Sequence, residues 1–391
     1  MDGIYLDNAA STVIHPDVKQ IMSEWDSYAN AGSIHKVGIE SKRKLKEARD
    51  IFASILNCES EQIIFTSGGS ESNATVLRGH ISNYDACGWE NNICISTVEH
   101  ESVCKNALIA HRSKMFDTPF SVGVNADGCI DMSALRKVLA TPDADVKLVS
   151  IMASNNEIPV INNVRAIASI CHEYGADYHA DCVQAFGSVD LDVNDLGCDF
   201  MSFSAHKFHG PKGVGVLFCK DKSKIVPLIA GGENQEFGIR GGTENVSGIY
   251  GAAIAAQIAI NEKYEVMRHI SLIKHRFYEE LMSQAKSLGI AEKVRINGVF
   301  DDERAKLLSI TLEDVDAQSL VLMMSARNAY ISAGSACTAS STESSHVLKA
   351  IGLTDKQAHS TVRVSFSRYN TESEVVEAAG IMLDSAMKLM P

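Results

Sequence analysis

Only seven prolines occur in 391 residues, which excludes a collagen-like or proline-rich low-complexity chain. The ten cysteines are scattered and contain no C-x-x-C pair, so neither a disulfide framework nor a redox dithiol motif is indicated. Long hydrophobic runs are also missing. The most apolar stretch, Ala252 to Ile260, is interrupted by Gln257 and falls far short of the ~20 residues of a membrane span. Basic residues are in the minority: 36 Lys and Arg against 49 Asp and Glu leave a net charge of −13. That balance argues against direct nucleic-acid binding, which needs a basic surface to displace counterions. The opening Met1-Asp2-Gly3-Ile4-Tyr5-Leu6-Asp7 lacks the basic start of a signal peptide, so the expectation is a cytoplasmic chain.

What is present describes a globular protein. Hydrophobic residues make up 45% and charged residues 22%, enough apolar surface to exclude disorder for most of the chain. Single cores stop growing near about 250–300 residues, so two domains are expected. The densest basic run, Lys42-Arg43-Lys44-Leu45-Lys46, reads as a solvated helix face, because Leu45, Ala48, Phe52 and Ile55 recur beside it at helical spacing. Cysteines such as Cys94, Cys171 and Cys219 sit in apolar runs and read as small core residues.

The first 260 residues or so alternate strand and helix patterns. Strands are expected at Ile63–Phe65, Asn92–Ser96, Val146–Ala153, Asp177–Ala180, Phe200–Phe203 and Val214–Cys219. The last two are close enough for a hairpin. Helical patterns lie between, at Ala134–Leu139 and Val164–Tyr174. Such alternation implies an α/β fold with a mostly parallel sheet covered by helices on both faces. Ligands bind outside the carboxyl ends of such strands. Asn156, Asp181, His206 and Lys207 each follow an apolar run there, which makes that edge a candidate site. After residue 262 the pattern changes to a long charged helix, Tyr264–Leu288, and shorter strands such as Lys306–Thr311. The expected division is a large domain at 12–262 and a smaller α+β domain from 1–11 and 263–391.

Ser204-Ala205-His206-Lys207 enters a glycine-rich turn, Gly210-Pro211-Lys212-Gly213. An arbitrary lysine is an exposed turn residue. At a strand end beside His206 it also suits a Schiff-base lysine, whose amine must be neutral to attack an aldehyde. Asp181 alone could be a helix cap or a metal ligand, but no other residues have metal-ligand spacing. Gly68-Gly69-Ser70-Glu71-Ser72-Asn73 lies between a strand and a helix. It is either a plain capping turn or a phosphate cradle, built from close backbone approach and free helix N–H groups. It is neither a Walker A nor a dinucleotide loop.

Together these segments resemble the fold-type I enzymes that use pyridoxal 5'-phosphate. The segment Ser332-Ala333-Gly334-Ser335-Ala336-Cys337, followed by Ser344-Ser345-His346-Val347-Leu348, resembles the catalytic loop of cysteine desulfurases of the long-loop class. The similarity runs from Tyr5-Leu6-Asp7-Asn8-Ala9-Ala10 to Val362-Arg363-Val364-Ser365. It implies that Lys207 holds the cofactor as a Schiff base, that His100 stacks on its ring and moves protons, and that Asp181 faces the ring nitrogen. Asn156 and Gln184 would bond the phenolic oxygen and the region of the substrate carboxylate. Gly69, Ser70, Ser204 and His206 would hold the phosphate, and Thr243, from Arg240-Gly241-Gly242-Thr243-Glu244-Asn245, would reach the phosphate of the other subunit in a homodimer. Arg363 would grip the substrate carboxylate in bidentate fashion. Cys337 would be the nucleophile that attacks the sulfur of L-cysteine, leaving L-alanine and a persulfide.

The chain departs from the family pattern at Asn30-Ala31-Gly32-Ser33, where Asn-Pro-Ser-Ser is frequent, at Ser70 in place of Thr, and at Ser344 in place of a frequent Pro. With the sequence ending at Pro391, the expectation is a chain without the longer tail by which members dock the general iron–sulfur scaffold. The resemblance implies transfer of sulfur to an acceptor protein for iron–sulfur assembly, tRNA thiolation or DNA phosphorothioation. The alternatives are a selenocysteine lyase or other β-eliminating enzyme on the same fold, an aminotransferase, which has no use for Cys337, and a sulfur-handling scaffold without chemistry.

Overall fold

The computed structural model describes residues 3–25, 29–86, 92–111, 118–141, 144–334 and 344–390. Twelve strands lie among them: β1 Ile4–Tyr5, β2 Ile63–Thr66, β3 Asn92–Ser96, β4 Phe120–Val122, β5 Val146–Ser150, β6 Asp177–Asp181, β7 Phe200–Ser204, β8 Gly215–Cys219, β9 Val294–Asn297, β10 Leu307–Leu312, β11 Ala329–Tyr330 and β12 Thr361–Ser365. Seven form one sheet in the order β2-β8-β7-β6-β5-β3-β4. The pairings from β7 through β6, β5 and β3 to β4 are parallel, whereas β8 runs antiparallel to both β7 and β2. The expected hairpin is therefore real, and it makes the sheet mixed at one end. Every residue of β2, β3, β6, β7 and β8 is buried, the mark of strands covered on both faces. One face packs helices Lys36–Leu56, Val164–Glu173 and Val246–Asn261 through Phe52, Ile167, Ala252 and their neighbours. The other packs helices Gly69–Ala86 and Glu101–His111 through Val76, Leu77, Val103 and Ala107.

The expected strand from Val146 to Ala153 pairs regularly only to Ser150. Beyond it Ile151 and Ala153 still donate to the carbonyls of His179 and Asp181, so the chain stays against β6 while it bends toward Asn156. A second, three-stranded antiparallel sheet has the order β12-β10-β9. It is covered by helices Lys263–Ser287 and Glu372–Leu389, with Phe277, Leu281, Met382 and Ala386 in the core between them. The amino-terminal segment joins this layer: β1 pairs with β11, and Asp7 bridges to Ser365.

Lys44 departs from the solvated reading of its run. Its ammonium lies 4.3 Å from the Trp25 ring centre and 4.1 Å from that of Tyr250, and it donates to the Tyr250 hydroxyl. Arg43 and Lys46 do pair at the surface, with Glu40 and Asp50. The side chain of Lys44 buries its stem where its neighbours do not, because it faces helix Val246–Asn261.

One buried ion pair fixes the loop that carries Thr243. Arg49 and Glu236, with side chains 9% and 2% exposed, pair through both guanidinium nitrogens, and Glu236 also accepts the Phe65 N–H. Glu236 and Phe237 both adopt positive φ, of 41° and 57°, a strained backbone that the pair must hold in place. Replacing Glu236 by Ala leaves Arg49 buried without its carboxylate. The expected loss is about 3–5 kcal/mol of unfolding free energy, read from urea denaturation. A change below 1 kcal/mol would contradict it.

Candidate active site

The edge of the large sheet at the ends of β2, β3, β5, β6 and β7 opens into a cavity of about 240 Å³. Its lining includes Gly69, Ser70, His100, Asn156, Asp181, Gln184, Ser204, His206, Lys207 and Arg363. These residues lie far apart in sequence and come from the ends of β3, β5, β6 and β7, the helix after β2, and β12 of the second sheet. Parallel strands deliver their following residues to one edge, and this is why the polar residues after each apolar run converge.

At one end, helix Gly69–Ala86 points its first turn at the cavity. Its free N–H groups and dipole favour an anion. A Cβ on Gly69 would come within 2.6 Å of Val183 Cγ2 and 3.6 Å of Ser204 Cβ, so only glycine allows this approach. Gly215 plays the same part below it: a Cβ there would sit 2.5 Å from both the Thr66 hydroxyl and the Gly68 backbone. His206 lies beside Ser204, with Nδ1 3.2 Å from Ser11 Oγ. Burial, with Lys207 and Lys212 nearby, pushes its pKa down to about 4, so it is a neutral imidazole at pH 7.

Lys207 ends the short 3₁₀ turn Ala205–Lys207. Its Nζ donates to Ala9 O at 2.5 Å and to Ala10 O at 2.9 Å. Gln184 Nε2 donates to the same Ala9 carbonyl at 2.9 Å. The amino-terminal segment thus forms one wall of the site.

Asp181 terminates β6 and is almost fully buried. One carboxylate oxygen accepts Val183 N–H at 2.9 Å, and the other accepts Asn73 Nδ2 at 2.8 Å. Nearby Glu99 is buried completely, accepts the Met152 N–H and Ser96 hydroxyl, and leaves Oε2 without a partner among the described residues. Burial first, and then the charge of Asp181, push its pKa up to about 8. Glu99 is therefore mostly protonated at pH 7 and adds little charge beside Asp181.

Arg363, on β12, is 3% exposed in its side chain. Nη1 donates to Asn156 O at 2.6 Å and Nη2 to Asp7 Oδ1 at 2.8 Å, while Nε is buried with no partner among the described residues. Thr243 is exposed and does not line this cavity in its own chain. Cys337 lies outside the described residues. The preceding Gly334 and the following Ser345 bracket Glu157, whose Oε2 accepts the Ser345 hydroxyl at 2.6 Å.

The aminotransferase class-V family matches residues 4–377. The chain belongs to this family. It is 34% identical over 374 residues to "Cysteine desulfurase IscS" of Dictyoglomus turgidum, spanning 95% of this chain and 91% of that protein. A solved NifS-like protein superposes with a TM-score of 0.86 at 30% identity, covering 98% of both chains. A structure described as SspA in complex with cysteine gives 0.74 at 30% identity, over 94% of this chain and all of that one. This aminotransferase class-V chain therefore falls among the cysteine desulfurases, and its architecture is that of fold-type I pyridoxal-phosphate enzymes.

The residues present fit that cofactor. A glycine-bounded helix N-terminus with Ser70, Ser204 and neutral His206 suits a phosphate. A buried carboxylate, Asp181, suits a protonated ring nitrogen, and a lysine amine lies in the same cavity. Asn73 Oδ1 is buried there with no donor among the described residues. Among the described residues no group of three or more His, Cys, Asp and Glu side chains could hold a metal ion, and no helix is long and apolar enough to cross a membrane.

The sequence reading assigned no role to Asn73, Ser102, Asp7 or the carbonyls of Ala9 and Ala10. Asn73 was legible in principle. It lies four residues after Gly69, one helical turn on, and so shares the face that Gly69 turns to the cavity. The carbonyls carry no side-chain signal at all.

Proposed function

We propose that this chain is a pyridoxal-phosphate-dependent cysteine desulfurase, in which Cys337 takes sulfur from L-cysteine as a persulfide and releases L-alanine. The observation that supports it most is the convergence of Lys207, Asp181, His100 and Arg363 on one cavity, in a chain whose relatives bear that activity over nearly its full length.

Pyridoxal 5'-phosphate, when bound, supplies an electron sink for the substrate's Cα. The first turn of helix Gly69–Ala86, with Ser70, Ser204 and His206, would hold its phosphate, and Asp181 would keep a proton on its ring nitrogen. Gln184 and Asn156 line the same cavity and would hydrogen-bond the ring's phenolic oxygen and the region of the substrate carboxylate. Arg363 would bind the carboxylate of the amino acid, with its orientation held by Asn156 O and Asp7. Lys207 Nζ, anchored by two carbonyls, would bind the cofactor and then move the proton on Cα. The net exchange balances: the C–S bond of L-cysteine and the S–H bond of Cys337 break, and an S–S bond and a new C–H bond at the substrate's Cβ form, giving the Cys337 persulfide and L-alanine. Sulfur then passes to an acceptor protein, for iron–sulfur assembly, tRNA thiolation or DNA phosphorothioation.

The same reading makes the protein a cytoplasmic homodimer, with residues 12–262 as the large cofactor-binding domain and 1–11 with 263–391 as the small one. Thr243 would serve the partner subunit's phosphate site, a reading its exposure and its place outside the lining of its own cavity support. Thr243→Ala is expected to weaken cofactor retention about tenfold, the worth of one hydrogen bond to a charged group, measured by dialysis and absorbance. Retention equal to wild type in a protein that sediments as a monomer would contradict the dimer. For the activity itself, L-cysteine with a reductant should give sulfide and alanine in equal amounts; alanine without sulfide would overturn the reading.

A further inference from the structure

Three hydrogen bonds join two groups of the cavity that are distant in sequence. Asn73 Nδ2 donates to Asp181 Oδ2 at 2.8 Å and to Ser102 Oγ at 2.9 Å. Ser102 Oγ lies 2.8 Å from His100 Nδ1. The chemistry fixes the direction of each. A carboxylate only accepts, so Asn73 must present its NH₂ group to Asp181, and both amide hydrogens are then in use. Ser102 Oγ accepts one of them, which leaves its single hydrogen for His100 Nδ1.

A second observation points the same way. The backbone N–H of Ser102 also donates to His100 Nδ1, at 3.1 Å. It is one of the free N–H groups in the first turn of helix Glu101–His111, and it requires an acceptor. His15 and His35 cap their helices in the same manner, with Nδ1 accepting from Asp17 and Gly38. Two donors thus converge on Nδ1 of His100. A hydrogen on that nitrogen would meet both.

We infer that Asn73 and Ser102 are positioning residues, through which Asp181 holds His100 in its Nε2–H form, so that the cavity meets a hydrogen-bond donor at this ring. The inference deepens the desulfurase reading and rests on it for what the donor serves; the hydrogen-bond chain itself involves only residues of this protein. In this state His100 can hold a lone pair of a bound group at Nε2. It cannot accept a proton there until the bonds at Nδ1 are broken.

The test uses the full-length protein, labelled with ¹⁵N-histidine and studied with and without added pyridoxal phosphate, His100 being assigned by the signals lost in His100→Gln. Wild type should show Nδ1 bare and Nε2 protonated in both samples. In Ser102→Ala the Nδ1 resonance should move toward that of an unbonded ring nitrogen, with kcat down about tenfold and KM for L-cysteine within about twofold. Ser102→Thr should restore both. A protonated Nδ1 in wild type would overturn the inference. So would a Ser102→Ala variant with an unmoved Nδ1 resonance or an unchanged kcat. A wild type that takes up no cofactor would overturn the desulfurase reading instead, while the tautomer measured without cofactor still decides this one.

Discussion

Lys207→Ala is expected to abolish the visible absorption of bound cofactor and to lower sulfide release from L-cysteine by about 10³-fold or more, within the range for a lost proton-transfer group. The geometry makes the effect local. Lys207 closes a 3₁₀ turn at the end of β7, and its Nζ is held by the carbonyls of Ala9 and Ala10. Its backbone neighbours are fixed separately: Ala205 N–H donates to Val214 O, and Gly210 N–H to Ala205 O. The turn should therefore survive truncation of the side chain. Lys207→Arg sharpens the test. It keeps the positive charge and the donors to Ala9 and Ala10, but a guanidinium stays protonated and is no nucleophilic amine. Both variants should be colourless, inactive and folded. An active Lys207→Arg would show that charge alone is needed and would remove Lys207 from its assigned role.

Arg363→Ala should lower kcat/KM for L-cysteine by about 10²–10³-fold, mostly through KM, with the cofactor absorption retained. That corresponds to about 3–4 kcal/mol, within the range for removing one partner of a desolvated, hydrogen-bonded charge pair. Arg363 has two uses for its guanidinium, Nη1 on Asn156 O and Nη2 on Asp7, while its buried Nε has no partner among the described residues. Arg363→Lys should recover little, since an ammonium cannot reproduce the fork. Truncation also strands Asp7, whose side chain is 20% exposed, so the variant must be assayed below its own melting temperature. Asp7→Asn separates the two effects. It keeps a hydrogen-bond acceptor beside Nη2 and removes only the charge, and should raise KM far less than Arg363→Ala does. Equal KM values in wild type and Arg363→Ala would place carboxylate recognition elsewhere.

Much of this site is legible in the sequence, for a physical reason. Strand ends are marked by a switch from apolar to polar residues. Asn156, Asp181, His206 and Lys207 each stand just past such a switch, so their meeting at one sheet edge follows from the α/β pattern. The strand at Asn92–Ser96 matches its expected bounds, and those at Asp177 and Phe200 differ by one residue, because buried strands are continuous apolar runs. What escaped was the lateral support. Lys44 lies in a run of cations and reads as one of them, but only the fold brings Trp25 and Tyr250 to it. The antiparallel pairing of β2 with β8 joins residues some 150 positions apart and has no local signature. The Asn73–Ser102 bridge depends on two helices meeting across β3 and β6, a matter of packing that no motif spacing records.

The assignment of Cys337 is tested most directly by a paired measurement on wild type and Cys337→Ala. Each protein is examined for cofactor absorption, and then for sulfide released from L-cysteine with a reductant present. Both should be yellow, because the groups proposed to hold the cofactor line a cavity whose described lining is independent of that cysteine. Only the wild type should release sulfide, and only the wild type should carry one extra sulfur per chain after cysteine is supplied without reductant. Equal sulfide release from both would contradict the persulfide role of Cys337 and make the enzyme an eliminating lyase on the same scaffold.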